Sequence, residues 1–307
     1  MQILPSKRWT RCFKLFKIRN NIGRAASNKE KGEIMCRKTI AKITLGLLLM
    51  GGNCWAGAST ESSATCGPKE TDVNSVDAIL EQLRQRTAKL ASYQAEVEYR
   101  YVQPLLESES LRKGALSYAK FGNTSKLRVN FETLKQDDEA EQKYIEHFVF
   151  DGVWLTHIDF QTKAIKRYQL VEPNSPVDAF ELASRNLPMV GFTKVEDLRK
   201  QFEISFVKPE RDRDEDQIRL HLKTRPASIY KDRYASIDFW IDKKLGLPTK
   251  VVAVSTEPEA PFADTYQIRL LKPKVNQKID EKVFEFVIPK GFGEPEIVPL
   301  KKKSDRS

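Results

Sequence analysis

The chain predicts an α+β fold: one strongly curved antiparallel sheet, a half-barrel of about eleven strands, with three short helices as a lid over a hydrophobic cavity. Three observations lead there. From Tyr93 onward the sequence is dominated by short segments of alternating apolar and polar residues. Helical spacing is confined to about 75–91 and to 176–202. The segment "VFDGVWLTHIDF", residues 149–160, is apolar on both faces, which a strand facing water is not.

The N-terminal residues stand apart in charge. The net charge is +10, but residues 1–58 hold 12 of the 52 basic residues and two of the 42 acidic ones, leaving 40 of each sign. The rest of the chain is neutral, which excludes a nucleic-acid partner recognised through a basic surface. Within the leader, Arg37, Lys38 and Lys42 precede the apolar run Ile43–Met50, and Ala56-Gly57-Ala58 follows. That order describes a secretory signal peptide and predicts export to the periplasm. Its core is 35–58; Met35 is an alternative start, with 1–34 then outside the protein proper. A permanent anchor is the rival reading, disfavoured because a span needs ~20 apolar residues. Cleavage near Ala58 leaves Cys66 alone, so no internal disulfide is expected. Asn53 and Thr65 make Cys54 and Cys66 poor lipidation sites.

Residues 59–71 are small and polar and read as a flexible linker to a domain over 72–292. Val76, Ile79, Leu80, Leu83 and Leu90 then recur on one helical face, with Asp77 in the first turn. In "YQAEVEYRYV" (93–102), Ala95, Val97, Tyr99 and Tyr101 share one face and Glu96, Glu98 and Arg100 the other. Further strands are expected at 112–121, 126–133, 143–150, 153–160, 163–170, 203–208, 217–224, 233–241, 247–256 and 264–273. Residues 176–202 break the series as two short helices joined by an apolar Leu187–Phe192 loop. Residues 293–307 read as a basic tail.

Eleven strands ~4.8 Å apart span roughly 50 Å. Three helices ~10 Å wide cover roughly 30 Å. Such a sheet must curl, fold on itself as a sandwich, or leave a pocket. In the 149–160 hairpin, an Asp151-Gly152 turn pairs Phe150 with Val153, Val149 with Trp154 and Phe148 with Leu155. Phe148, Phe150, Val153 and Leu155 then share one face; Ile145, Val149, Trp154, Ile158 and Phe160 share the other.

Catalytic signatures are sparse. No G-x-S-x-G elbow, nucleotide-binding glycine motif or H-E-x-x-H occurs, and His147, His157 and His221 sit singly within strands. Residues 210–223 place Asp212, Asp214 and Asp216 like the start of a calcium loop, but Gln217 and Lys223 stand where glycine and glutamate are needed. No enzyme activity, metal or cofactor is expected.

The order of these segments resembles the LolA-like outer-membrane lipoprotein carrier family over about 72–292. The likeness rests on 113–131, 148–168, 187–206 and 265–292, above all the Asp-Gly-x-x-Leu hairpin and the closing Phe284-x-Phe-x-x-Pro-x-Gly291. It implies a curved sheet, a helical lid and a cavity for acyl chains, without catalysis. One departure is clear. Such carriers have an Arg-Pro pair after the second strand, where this chain reads Lys120-Phe121-Gly122, with Arg128 further on. The expected ligand is a lipid or lipoprotein acyl chain, with membrane lipoprotein-release and receptor proteins as further partners. Expected lining residues are Tyr99, Tyr101, Leu116, Phe131, Trp154, Ile158 and Phe239, with Met189 and Phe192 on the lid loop. The alternative is an envelope sensor or protein-interaction module on the same scaffold.

Overall fold

The computed structural model describes residues 76–184, 191, 193–207, 216–256 and 262–300. The leader (1–58), the linker (59–71), Met189, Phe192 and residues 210–215 of the 210–223 run lie outside the described residues.

Helix α1 (Val76–Ala88) comes first, followed by six strands: β1 (Ser92–Gln103), β2 (Ser108–Phe121), β3 (Thr124–Gln136), β4 (Gln142–Phe150), β5 (Trp154–Asp159) and β6 (Ala164–Gln169). Helices α2 (Ala179–Ser184) and α3 (Val195–Gln201) interrupt them. The series then resumes with β7 (Phe202–Val207), β8 (Gln217–Thr224), β9 (Tyr234–Asp242), β10 (Leu247–Ser255) and β11 (Thr265–Val275). A twelfth strand, β12 (Glu296–Val298), closes the order.

All twelve form one open, curved sheet in the order β12-β6-β5-β4-β3-β2-β1-β11-β10-β9-β8-β7. The eleven expected strands are present, but the sheet is mixed, because β12 pairs parallel to β6. The stretch read as the start of a basic tail therefore contributes a strand.

The alternation in β1 sets the two faces. Tyr93, Ala95, Val97, Tyr99 and Tyr101 are buried on the side that carries the helices, called the inner face here. On the outer face Glu96 and Glu98 meet Lys272 and Arg269 of β11 at 2.8 and 2.9 Å. Curvature has an identifiable cause. From Gly114 back to Arg112 in β2, the facing stretch of β3 runs Phe131 to Leu134, one residue longer. In β4 it runs Glu146 to Gln142, longer by one again. Successive bulges of this kind bend a sheet. Gly114 is required at the first: a Cβ there would lie 1.8 Å from the Asn130 carbonyl oxygen.

The 149–160 hairpin turns one residue later than expected, which shifts its pairing by two residues. Phe150 pairs with Leu155, Val149 with Thr156 and Phe148 with His157. Its turn is Gly152-Val153, with Gly152 at φ 104 and the Asp151 carboxylate accepting from the Val153 and Trp154 amides at 3.0 and 2.7 Å. Because the slip is an even number of residues, side chains keep their faces. Phe148, Phe150 and Leu155 face inward; Val149, Trp154 and Ile158 face outward.

The outer side of that half is covered by the C-terminal arm. Phe284 is buried and meets Phe121 edge-on at 5.7 Å, while Phe292 meets Phe160 at 5.1 Å. Arg128 Nη1 donates to the Val283 carbonyl at 2.9 Å, and Lys126 pairs with Glu281 at 2.7 Å. Both faces of the hairpin are thus covered by protein, as its apolar composition requires.

Candidate functional site

The inner face is one apolar floor shared by two clusters. In the first, α1 and α3 seat Ile79, Leu80, Leu83 and Leu198 onto Leu220, Leu222, Ile237, Phe239, Ile241 and Val251 of β8–β10. An Arg199–Asp77 ion pair at 2.6 Å ties the two helices together. These helices, expected as a lid, are core elements of this half.

The second cluster spans β1–β6 and β11. Its floor comprises Tyr99, Leu116, Val129, Phe131, Phe148 and Leu155, with Tyr266 and Ile268 continuing it into the first cluster. Tyr99 and Phe131 lie with ring centroids 6.4 Å apart, and Phe131 meets Phe148 edge-on at 6.4 Å. The helical cover of this half among the described residues is α2, whose Ala179, Phe180 and Leu182 join the cluster. Phe180 packs on Tyr118 at 4.4 Å, and the Tyr118 hydroxyl donates to Asp178 at 2.6 Å. A six-residue helix is ~9 Å long, against six strands spanning about 24 Å between their outer axes.

A polar node interrupts the floor. Arg112 Nη1 donates to Glu146 Oε2 at 2.5 Å, and His157 Nε2 lies 2.8 Å from Glu146 Oε1. All three are buried. The Arg112 guanidinium sits over the Tyr144 ring at 5.3 Å, and the His157 ring stacks on Phe148 at 4.7 Å. Register puts them there: Arg112 stands opposite Tyr99, and Glu146 opposite Phe131. Buried phenols complete the surface. Burial pushes Tyr93 up to about 12, and its hydroxyl is buried with no hydrogen-bond partner. Burial, then the hydrogen bond to Asp264 at 2.6 Å, holds Tyr101 well above the usual phenol range.

Five expected lining residues therefore lie on the inner face. Tyr99, Tyr101, Leu116 and Phe131 come together in the second cluster, and Phe239 lies in the first, beneath the helices. Trp154 and Ile158 do not join them. They project from the outer face, where Arg167 stacks between Trp154 at 5.1 Å and Phe286 of the arm at 5.6 Å. Hairpin parity shows which residues share a face but not which face meets Tyr99. Phe148 and the three residues of the node were missed; the signal was two polar residues, Glu146 and His157, on the inward face of otherwise apolar strands.

A cavity of about 120 Å³ lies between α1 and the β9–β10 turn. Ile79, Leu83, Ile218 and Ile241 line it, with Gln82, Asp242 and Lys243 at its edge. It is smaller than the roughly 300–1,000 Å³ of typical ligand pockets, and none of the expected lining residues borders it.

No family model matches the chain, and no curated protein matches it. Among solved structures it is similar to a conserved protein of Thermus thermophilus (12% identity, 73% of this chain and 98% of that one, TM-score 0.42). It is also similar to a chain of the Pseudomonas aeruginosa MucA/MucB complex (14%, 68% and 60%, 0.38). This chain thus covers less than two thirds of that one. A LolA superfamily protein from Nitrosomonas europaea matches at 15% identity over 68% of this chain and 97% of its own, with a TM-score of 0.33. At such identities and scores these likenesses carry no argument, and the site is read from its own geometry.

Proposed function

We propose that the inner face of β1–β6 binds acyl chains of a lipid or lipoprotein, reversibly and without catalysis, in the periplasm. The supporting observation is the continuous aromatic floor Tyr99–Phe131–Phe148, buried on the curved sheet, for which α2 is the helical cover among the described residues. Transfer of a chain onto such a surface gains about 0.8 kcal/mol per CH₂ removed from water. The floor is rigid, since it is built on paired strands.

Extraction of the purified protein with organic solvent, followed by mass spectrometry, should release acyl lipid. Phe131→Ser should lower its yield. Repeatedly empty protein, with no uptake of a fluorescent fatty acid, would remove this reading.

A protein-interaction role is the second reading, and the edge of β7, which has no partner strand among the described residues, favours it. Ladder pairing to β8, continued by the Arg225 amide donating to the Gln201 carbonyl at 2.9 Å, turns the backbone groups of Ile204 and Phe206 outward. This edge holds no proline or bulge, so it offers a place for an added strand. Capture of one stoichiometric protein, lost in Phe206→Pro and accompanied by no lipid, would favour this role.

A further inference from the structure

Of the nine large apolar residues exposed among the described residues, four lie at one end of the sheet and four on the C-terminal arm. The turns β1–β2, β8–β9 and β10–β11 all lie at the same end, because Val102 pairs with Thr265 and Tyr234 with Ser255. Successive hairpins there are two strands apart, or about 10 Å. On their tips Leu105 is 71% exposed, Leu106 51%, Ile229 68% and Phe262 45%.

These side chains are held out by well-ordered backbone. Leu105 and Leu106 sit in a single 3-10 turn closed by the Glu107 amide donating to the Pro104 carbonyl at 3.1 Å. That turn is braced by the Glu109 amide, which donates to Asp137 at 2.7 Å. Ile229 is flanked by Ser228 and Tyr230, which are 2% and 6% exposed, and its amide donates to the Gln201 side chain at 2.9 Å. The chain therefore buries both neighbours and presents the isoleucine.

We propose that this rim docks onto a phospholipid bilayer, with Leu105, Leu106 and Ile229 entering the interfacial layer. A protein partner would require a recess for each of several separate protruding tips; a fluid interface accepts them in any arrangement. Charge favours headgroups at one tip: that around Ile229 carries Arg225, Lys231 and Arg233 against Asp232. The β1–β2 tip carries Glu107 and Glu109 and touches the acidic β3–β4 tip (Asp137, Asp138, Glu139), so Leu105 and Leu106 act there through apolar contact alone. Docking of this kind is independent of whether the inner face takes an acyl chain.

The test is co-sedimentation of the full chain with vesicles of phosphatidylethanolamine and phosphatidylglycerol. The wild type should pellet. Leu105→Ser with Leu106→Ser, and separately Ile229→Ser, should weaken partition by roughly tenfold, since apolar contact and headgroup attraction together hold such a surface. The pair Val287→Ser and Ile297→Ser, on the C-terminal arm, should leave it unchanged. In Leu106→Trp, brominated lipid should quench more fluorescence than in the wild type. Wild-type protein that stays in the supernatant, tip variants that bind normally, or arm variants that lose as much would each overturn the proposal. So would vesicle-free capture of a stoichiometric protein by the same tips. Fatty-acid uptake measured without vesicles should be equal in all variants, which separates this result from that of the inner face.

Discussion

Arg112 and Glu146 form an ion pair at 2.5 Å across the apolar inner face, joining β2 to β4 over the intervening strand. Both are buried, and Glu146 also holds His157. Buried pairs add little net stability when whole, but removal of one partner strands a charge and costs roughly 3–5 kcal/mol. Glu146→Leu should therefore lower the unfolding free energy by about that amount in urea titration. Adding Arg112→Met should recover much of the loss. Equal stability of Glu146→Leu and the wild type would contradict the pairing.

Gly114→Ala should be destabilising although alanine is small. Its Cβ would meet backbone, the Asn130 carbonyl, which cannot swing aside as a side-chain terminus would. Overpacking of this kind costs about 3 kcal/mol. Thermal unfolding gives the readout. Gly122→Ala is the comparison: its Cβ would meet nothing within 4 Å, so only its φ of 59° opposes the change.

Acid should weaken the fold through His147. Burial first, and then the charge of Arg128, lowers it from 6.5 to about 4. The folded chain thus keeps the ring neutral, while the unfolded chain takes up a proton below about 6.5. Stability is unaffected by this group above pH 6.5, falls as pH drops toward 4, and is level below that. His147→Gln should flatten the decline in a series of urea titrations between those limits; an unchanged slope would assign it to other groups.

Phe284→Ala should loosen the arm and cost roughly 3–5 kcal/mol, as for other buried phenylalanines. Hydrogen exchange should then speed up in β3 and β4, beneath the arm. Val287, being exposed, should be replaceable by alanine at little cost.

Elements were legible in the sequence where burial is one-sided. The alternation Tyr93–Tyr101 and the spacing Ile79–Leu83 each record a single apolar surface, and both elements formed where expected. Register was not legible. The turn in the 149–160 hairpin uses Gly152-Val153, where the Asp151 side chain binds the Val153 and Trp154 amides, a local capping that competes with the two-residue Asp-Gly turn. The face of Trp154 depended on four successive registers and two bulges between it and Tyr99, none of them visible in local pattern. Strand β12 escaped notice because it has three residues between Pro295 and Pro299. Arg112, Glu146 and His157 are brought together by strand order alone.

The parallel pairing of β12 with β6, and of β1 with β11 in the antiparallel sense, has a consequence for synthesis. Strand β1 cannot find its second neighbour until nearly the whole polypeptide has left the ribosome, and the outer side of β3–β5 waits still longer for Phe284. Contacts so distant in sequence close slowly and leave sticky intermediates. A nascent chain of this protein is thus a natural client for holding chaperones, and even a short deletion at its carboxyl end should be felt first as poor yield.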